Sequence, residues 1–154
     1  LVENSAVLAA IASGALSRYV TDFPADELIG VPGIIVMPHL GASTPEAEDN
    51  CALMAADELG DFLENGNIRN SVNFPACSAP RVGKSRITVI HKNEKSVISA
   101  ISDIIGKAGI NIENFVSRSR GDFAYAIVDT TEALGDDVVA AISALPSVIR
   151  CRVF

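Results

Sequence analysis

The sequence has few basic residues and no long apolar run. Its 154 residues include 12 Lys and Arg against 19 Asp and Glu, which gives a formal net charge of −7 and a pI near 4.7. A nucleic-acid-binding surface needs clustered positive charge to neutralise phosphates, so this composition disfavours one. No apolar stretch approaches the roughly 18 residues that cross a bilayer, and no signal-like pattern opens the sequence. We therefore expect a cytoplasmic protein without a nucleic-acid or membrane partner.

Cysteine is scarce and follows no metal-binding pattern. Cys51, Cys77 and Cys151 lie far apart, with no CxxC or Cys/His spacing that suits zinc, so we expect reduced thiols and no metal site. The glycine-rich turn GxGxxG that binds dinucleotide phosphates is also absent, and we expect no cofactor-binding residue in this chain. The apolar pair Leu1-Val2 at the start predicts a carboxy-terminal fragment of a longer protein.

Regular apolar periodicity is present in two regions, within a composition of 49% hydrophobic and 20% charged residues that is ordinary for a globular protein. In the first region the pattern predicts a helix over 4–13, ended by Gly14, and strands over 16–21 and 33–37. A short helix, a strand, a loop and a strand in this order predict part of a doubly wound, Rossmann-type parallel sheet.

A long helix is predicted after the second strand. Thr44 offers a hydroxyl cap, Pro45 suits the first helical position, and Glu46 and Glu48 lie at the positive end of the helix dipole. One apolar stripe then continues to the Asn-Gly pair at 65–66, so the helix should run about 20 residues.

The second region follows a stretch of small and polar residues. Residues 76–85 have linker composition, with one proline and one glycine, and predict a boundary between domains 1–75 and 86–154. From residue 86 the order is strand, helix, strand, turn, strand, helix, strand, with the first helix expected over 94–108. This βαββαβ order is the ferredoxin-like topology, and a domain this small would gain stability by dimerising.

His39 is the candidate catalytic residue, because it follows a buried strand at the place where α/β enzymes hold their active-site groups. Residues 38–44 read Pro-His-Leu-Gly-Ala-Ser-Thr. This segment resembles the active-site histidine segment of the NAD-dependent D-2-hydroxyacid dehydrogenases, in particular of those that act on 3-phosphoglycerate. The stretch after the long helix, Gly-Asn-Ile-Arg-Asn-Ser-Val-Asn-Phe-Pro at 66–75, is also similar to that family, in which the long helix returns to the substrate-binding domain.

The resemblance implies that His39 takes the hydroxyl proton of the substrate with the help of a carboxylate. The family's glutamate matches Asp26, with Glu27 beside it, and these two are the expected partners. Taken without the resemblance, both acids would lie in a solvated turn. Asp22, at the end of a predicted strand, is a third candidate.

Residues 86–154 resemble an ACT domain, an amino-acid-sensing module of many such enzymes. The resemblance implies that His91, Asn93 and Asn111 bind L-serine at a dimer interface. Asn93 could equally be the cap of the following helix and not a ligand-binding residue. The family has Arg-Pro-Gly after this asparagine, where this chain has Glu-Lys-Ser at 94–96.

Together these resemblances imply an oxidoreductase that converts 3-phosphoglycerate to 3-phosphohydroxypyruvate with NAD in serine biosynthesis, as a homodimer or homotetramer. The 154 residues alone are expected to be inactive, because they have neither the phosphate-binding turn nor the family's substrate-binding arginine. Two alternatives stay open. One is another D-2-hydroxyacid dehydrogenase, such as a glyoxylate or hydroxypyruvate reductase, and the other is a regulatory or dimerisation module without activity of its own.

Overall fold

The structure, a computed structural model, describes residues 2–154. It divides into two compact units, of which the first ends at Ala52 and the second is Leu53–Phe154. This division lies within a helix and differs from the boundary that linker composition predicts at 76–85. The assignment of an enzymatic and a regulatory domain to 1–75 and 86–154 stays a prediction.

The first unit contains a small parallel sheet. Its elements are α1 (Asn4–Ala12), β1 (Tyr19–Thr21), a 3₁₀ turn (Asp26–Leu28) and β2 (Ile34–Val36). The two strands pair in parallel, as predicted, although each is only three residues long. Within the described part of this unit only Val7 and Leu28 are buried, so its core is minimal.

Helix α2 spans Pro45–Asn65 and begins as its sequence predicts. The backbone N–H of Ala47 donates to the Thr44 hydroxyl at 3.2 Å, which is the expected cap. None of its residues is buried in the structure, and apolar side chains such as Leu53 and Leu59 are more than half exposed.

The second unit has the ferredoxin-like topology that the sequence predicts. After α2 come the elements β3 (Ser85–Lys92), α3 (Val97–Lys107), β4 (Ile112–Arg120), β5 (Phe123–Thr130), α4 (Asp136–Ser143) and β6 (Val148–Val153). The sheet order is β4-β5-β3-β6, and all three strand pairs are antiparallel. The two central strands are therefore the first and third of the βαββαβ unit.

Helix α3 begins later than the apolar pattern predicts, at Val97 and not at Glu94. The residue before it, Ser96, has a φ of 66°, in the left-handed region that favours glycine. The backbone N–H of Glu94 donates to the carbonyl of Lys92 at 2.9 Å, which forms a tight turn. This turn uses the positions that were expected to form the first helical turn.

One face of the sheet packs against α3 and α4. Alternate residues of the central strands point to this face because side chains of a strand alternate between its two sides. The resulting helix-side core is almost completely buried and consists of Ile87, Val89, Val97, Ile101, Ile105, Ala126, Val128, Val138 and Ile142. It stabilises the unit in the usual way, by removing apolar surface from water.

The opposite face of the sheet is covered by the end of α2 and by residues 66–80. Ile68 and Cys77 form an antiparallel bridge, with N–H to carbonyl distances of 2.8 and 3.0 Å, and both pack against Tyr125 and Ile127. The predicted linker is thus bonded at its amino-terminal end to the segment that follows α2, and Cys77 Sγ also lies 3.7 Å from the Tyr125 carbonyl of β5. Ala79, farther along the same segment, is also buried.

A fully buried ion pair lies on this covered face. Arg86 of β3 and Asp129 of β5 are register partners, and their side chains form two parallel hydrogen bonds of 2.5 and 2.8 Å. The guanidinium also donates to the carbonyls of Asn65, Ala79 and Pro80 at 2.9–3.1 Å. Its remaining hydrogen-bonding capacity is therefore satisfied by the segment that covers the sheet.

The carboxyl end of α2 is completed by side chains of the sheet. The last turn of the helix has no basic residue of its own. Arg152 donates to the Leu63 carbonyl at 2.6 Å, Arg86 reaches the Asn65 carbonyl at 3.0 Å, and the Tyr125 hydroxyl donates to the Gly66 carbonyl at 2.6 Å. Two cations and a hydroxyl thus satisfy carbonyls at the negative end of the helix dipole.

We expect Arg86→Met to lower the free energy of unfolding of the second unit by about 3–5 kcal/mol, because it leaves the Asp129 carboxylate buried without its partner. The measurement is urea unfolding followed by tyrosine fluorescence. The chain has no tryptophan and two tyrosines, so a Tyr19→Phe background leaves Tyr125 as the reporter in this unit.

The matched control is Lys107→Met, which removes one positive charge from the exposed end of α3 and should change stability by less than about 0.5 kcal/mol. Adding Asp129→Leu to Arg86→Met should restore part of the stability, since no buried carboxylate is then unpaired. Equal stability of the Arg86 and Lys107 variants would show that the ion pair does not hold this face.

Thiol reactivity should differ sharply among the three cysteines. Burial raises the pKa of Cys77, whose side chain is 2% exposed, whereas Cys51 is exposed. Because the thiolate is the reactive form, a raised pKa lowers the rate at a given pH. We expect a disulfide reagent to label Cys51 quickly in the native chain and Cys77 only on unfolding. The Cys51→Ser variant should therefore lose the fast phase of labelling. Fast labelling of Cys77 in this variant would contradict the burial of the Cys77 side chain.

Candidate functional site

The structure brings His39 next to an aspartate at the carboxyl edge of the small sheet. His39 Nδ1 lies 3.2 Å from Oδ2 of Asp22, and the two side chains are 65% and 49% exposed. The ring of Phe23 contacts the imidazole edge-on, with centroids 5.8 Å apart. This is an imidazole–carboxylate pair with one apolar wall, in the arrangement that fixes a tautomer for proton transfer.

Strand register explains why Asp22 is the neighbour. Thr21 pairs with Val36, so the residues that follow β1 and β2 emerge side by side. In open α/β sheets this carboxyl edge is where ligands bind. Its place at the end of a predicted strand was the signal in the sequence that made Asp22 a third candidate.

Asp26 and Glu27, the partners implied by the resemblance, lie in the 3₁₀ turn Asp26–Leu28 and are exposed. Within residues 2–154 neither forms an ion pair with His39. The carboxylate beside the imidazole is instead that of Asp22. The catalytic roles of all four residues remain predictions.

His91, the first effector candidate, is 2% exposed and lies at an irregularity where β3 shifts its register against β6. Its Nδ1 is 2.7 Å from the carbonyl of Lys92, which accepts a hydrogen bond only when Nδ1 carries the proton. Nε2 is buried and has no partner among the described residues. A buried acceptor of this kind is free to take a donor from a ligand.

Asn93 does not cap α3. Its side-chain amide donates to the carbonyl of Gly121 at 3.1 Å, and its backbone N–H donates to the carbonyl of Asp122 at 2.8 Å. These two hydrogen bonds join the end of β3 to the β4–β5 turn. The helix-cap alternative is therefore wrong, because α3 begins four residues later, at Val97.

Asn111 lies at the other end of the sheet from His91 and Asn93. It precedes β4, whose first residue pairs with Thr130, and Thr130 in turn pairs with Ser85 at the start of β3. Seven residues of extended strand separate the two ends of β3, or about 23 Å. One chain therefore does not bring the three effector candidates together.

A polar cluster that the sequence pattern did not single out holds the segment after α2. Asp61 accepts from the amides of Asn65 and Asn67 at 3.0 and 2.9 Å and pairs with Arg69 at 2.8 Å. Burial alone would raise the pKa of Asp61, but the two amides and Arg69 outweigh it and lower that pKa. The cluster fixes the backbone where the resemblance at 66–75 begins. The i, i+4 spacing of Asp61 and Asn65 within α2 could have indicated one of these contacts, whereas Asn67 and Arg69 join the cluster only through the turn after the helix.

None of the helices over residues 2–154 combines the length and the hydropathy that a membrane-spanning helix requires. In the same part of the chain, no group of three His, Cys, Asp or Glu side chains is placed to hold a metal ion.

Solved structures similar to this chain include two ACT domains. One is from the GTP pyrophosphokinase of Chlorobium tepidum, with a TM-score of 0.39, 12% identity and coverage of 46% of this chain and 95% of that one. The other is an ACT domain protein from Streptococcus pneumoniae, with a TM-score of 0.38, 16% identity and coverage of 46% and 85%. The ferredoxin-like assignment rests on the strand order described above.

No protein-family model matches the chain. Curated relatives are the D-3-phosphoglycerate dehydrogenase of Escherichia coli K12, 32% identical over 121 residues, and that of Dictyostelium discoideum, 33% identical over 128 residues. These alignments cover 77% and 82% of this chain but only 30% and 31% of the relatives, so the chain spans about a third of their length. D-3-phosphoglycerate dehydrogenase 1 of Saccharomyces cerevisiae is 33% identical over 73% of the chain and 24% of its own length. This shared sequence makes the chain similar to D-3-phosphoglycerate dehydrogenases over 73–82% of its own length.

Proposed function

We propose that this chain is the carboxy-terminal part of an NAD-dependent enzyme that oxidises 3-phosphoglycerate to 3-phosphohydroxypyruvate in serine biosynthesis, and that its second unit is a regulatory ACT domain. The observation that carries the proposal is the extent of the similarity. An alignment of 121 residues is longer than either compact unit, so it includes residues of both. The similarity therefore concerns the combination of a His39 segment with a ferredoxin-like unit, which neither part alone would identify.

His39 is the general base in this proposal. Its Nδ1 faces the Asp22 carboxylate at 3.2 Å, which leaves Nε2 for the hydroxyl of the substrate. As Nε2 takes the hydroxyl proton, the ring becomes positively charged, and the carboxylate stabilises that charge. The ring of Phe23 contacts the imidazole on one side.

NAD would accept the hydride, but the residues of this chain do not fit a site for its phosphates. The sequence has no GxGxxG turn, and the two described strands of the first unit are joined through a 3₁₀ turn and not through a helix of the length that such a site uses. We assign NAD binding, and the arginine that holds the substrate carboxylate, to the parts of the longer relatives that this chain does not span.

A regulatory or assembly module without activity of its own is the second candidate. It is favoured by the distribution of buried residues, since the extended core of the structure belongs to the ferredoxin-like unit. The two candidates differ in what His39 does, and a kinetic test on the intact enzyme separates them.

In the intact enzyme, His39→Ala should lower kcat for 3-phosphoglycerate by about two to four orders of magnitude, because it removes the positioned base. Steady-state kinetics with NAD measures this, and the KM for NAD should hardly change. The 154-residue chain alone should show no turnover. Near-normal kcat in the variant would overturn the assignment of His39 and favour the module without activity.

Asp22→Asn and Asp26→Asn form a matched pair for identifying the carboxylate. If the geometry of the structure persists in the intact enzyme, Asp22→Asn lowers kcat and shifts its pH profile, whereas the Asp26 and Glu27→Gln variants behave like the parent. A loss of kcat in the Asp26→Asn variant, with the kcat of Asp22→Asn unchanged, would favour Asp26, the position that the family resemblance implies. Comparing 3-phosphoglycerate with glyoxylate and hydroxypyruvate as substrates separates this enzyme from other D-2-hydroxyacid dehydrogenases.

The effector site we propose takes residues from two copies of the chain. His91 and Asn93 lie at one end of the sheet and Asn111 at the other, so an amino acid that contacts all three needs a second subunit. Ser96 supports the site in one respect. It replaces the family's glycine yet keeps a φ of 66°, so the backbone has the conformation that glycine favours.

We expect the 154-residue chain to dimerise and to bind L-serine, and Asn111→Ala to weaken binding by about 1–3 kcal/mol by leaving a charged group of the ligand without its hydrogen bond. Sedimentation and calorimetric titration measure the two properties. Asn73→Ala, an exposed asparagine outside the site, is the control. A dimer that gives no heat with serine would mean that Glu-Lys-Ser at 94–96 has abolished sensing, and would favour an assembly role.

A further inference from the structure

A cavity of about 300 Å³ lies between the carboxyl end of α2 and the face of the sheet that α2 covers. Phe62 and Leu63 of α2 form one wall, and Ile90 and Tyr125 of the central strands form the other. All four belong to the second unit. The volume is at the small end of the range for ligand sites, and the walls are mainly apolar.

Two arginines of β6 border this cavity. Arg150 pairs with Ile90 and Arg152 with Thr88, and paired residues of neighbouring strands share a face of the sheet. Since Ile90 and Thr88 line the cavity, strand alternation places both arginines on the cavity side. The arrangement therefore follows from the register of the edge strand.

The two arginines differ in what they already bind. Arg152 donates to the Leu63 carbonyl at 2.6 Å, and its guanidinium lies 4.6 Å from the centroid of the Phe154 ring, so it is held in place. Arg150 is exposed, and within residues 2–154 its side chain forms neither an ion pair nor a hydrogen bond. One fixed and one unengaged guanidinium thus meet at the cavity.

The charge of the cavity is opposite to that of the chain. Its lining contains two arginines and no carboxylate, whereas the chain as a whole carries a formal net charge of −7. In an acidic protein, unpaired cations beside apolar walls select a ligand that joins an anionic group to an apolar body.

We propose that this cavity binds a small organic carboxylate with an aromatic or branched aliphatic body. The carboxylate accepts two hydrogen bonds from the planar fork of Arg150, and the nearby charge of Arg152 adds to the attraction. The body lies between Phe62 and Ile90. Inorganic phosphate satisfies the arginines but leaves these apolar walls in contact with water.

The test uses the 154-residue chain and benzoate as the probe, with benzamide and inorganic phosphate for comparison. Binding is followed by backbone chemical shifts in NMR, which also locate the site. We expect saturable shifts at Thr88, Ile90 and Tyr125 with benzoate, and at least about tenfold weaker binding of benzamide, which has the same ring without the charge.

Arg150→Gln should weaken benzoate binding at least about tenfold, while Lys107→Gln, which removes one positive charge from the other face of the sheet, should leave it unchanged. Because Arg150 is exposed, its variant should keep the native spectrum away from the cavity. Three results would overturn the proposal: no shifts at the cavity residues, equal affinity in both variants, or phosphate binding as tight as that of benzoate. The last would indicate an inorganic-anion site.

Discussion

The buried pair of Arg86 and Asp129 is the constraint on which the second unit depends. A carboxylate placed on the face of a sheet and fully removed from water requires a cation of fixed geometry, and the cation then requires acceptors for its remaining N–H groups. Those acceptors are carbonyls of the segment that covers the sheet. The ion pair therefore determines where the chain must run between α2 and β3, which the apolar contacts of Ile68 and Cys77 alone would leave less well defined.

Periodicity was sufficient to predict the ferredoxin-like unit, because its helices and strands are long enough for their apolar spacing to be unambiguous. It failed where a single backbone conformation decides the result, as at Ser96, whose positive φ delays the start of α3. Composition also suggested a linker at 76–85, although Cys77 and Ala79 in it are buried. Their contacts join residues far apart in the chain, and no local pattern contains that information.

The candidate sites show the same division between local and distant information. His39 was identified from its segment and its place after a strand. The sequence offered Asp22 only as the third of three acids, and the register of β1 and β2 identifies it as the neighbour. In the second unit, the spacing of His91 and Asn93 gave no indication that Asn111 lies about 23 Å away along the sheet, an estimate from strand rise. Sequence resemblance supplies residue types, while pairing geometry decides which of them meet.

The completed end of α2 has a consequence for how the protein is made. The Leu63 carbonyl and the arginine that binds it are 89 positions apart, and the donors from β3 and β5 lie 21 and 59 positions from their carbonyls. During synthesis from the amino terminus, the last turn of this helix must therefore wait, partly solvated, until strand β6 has left the ribosome. The helix is closed by a strand that is synthesised long after it, so its final turn forms as a late tertiary event and not as an early local one.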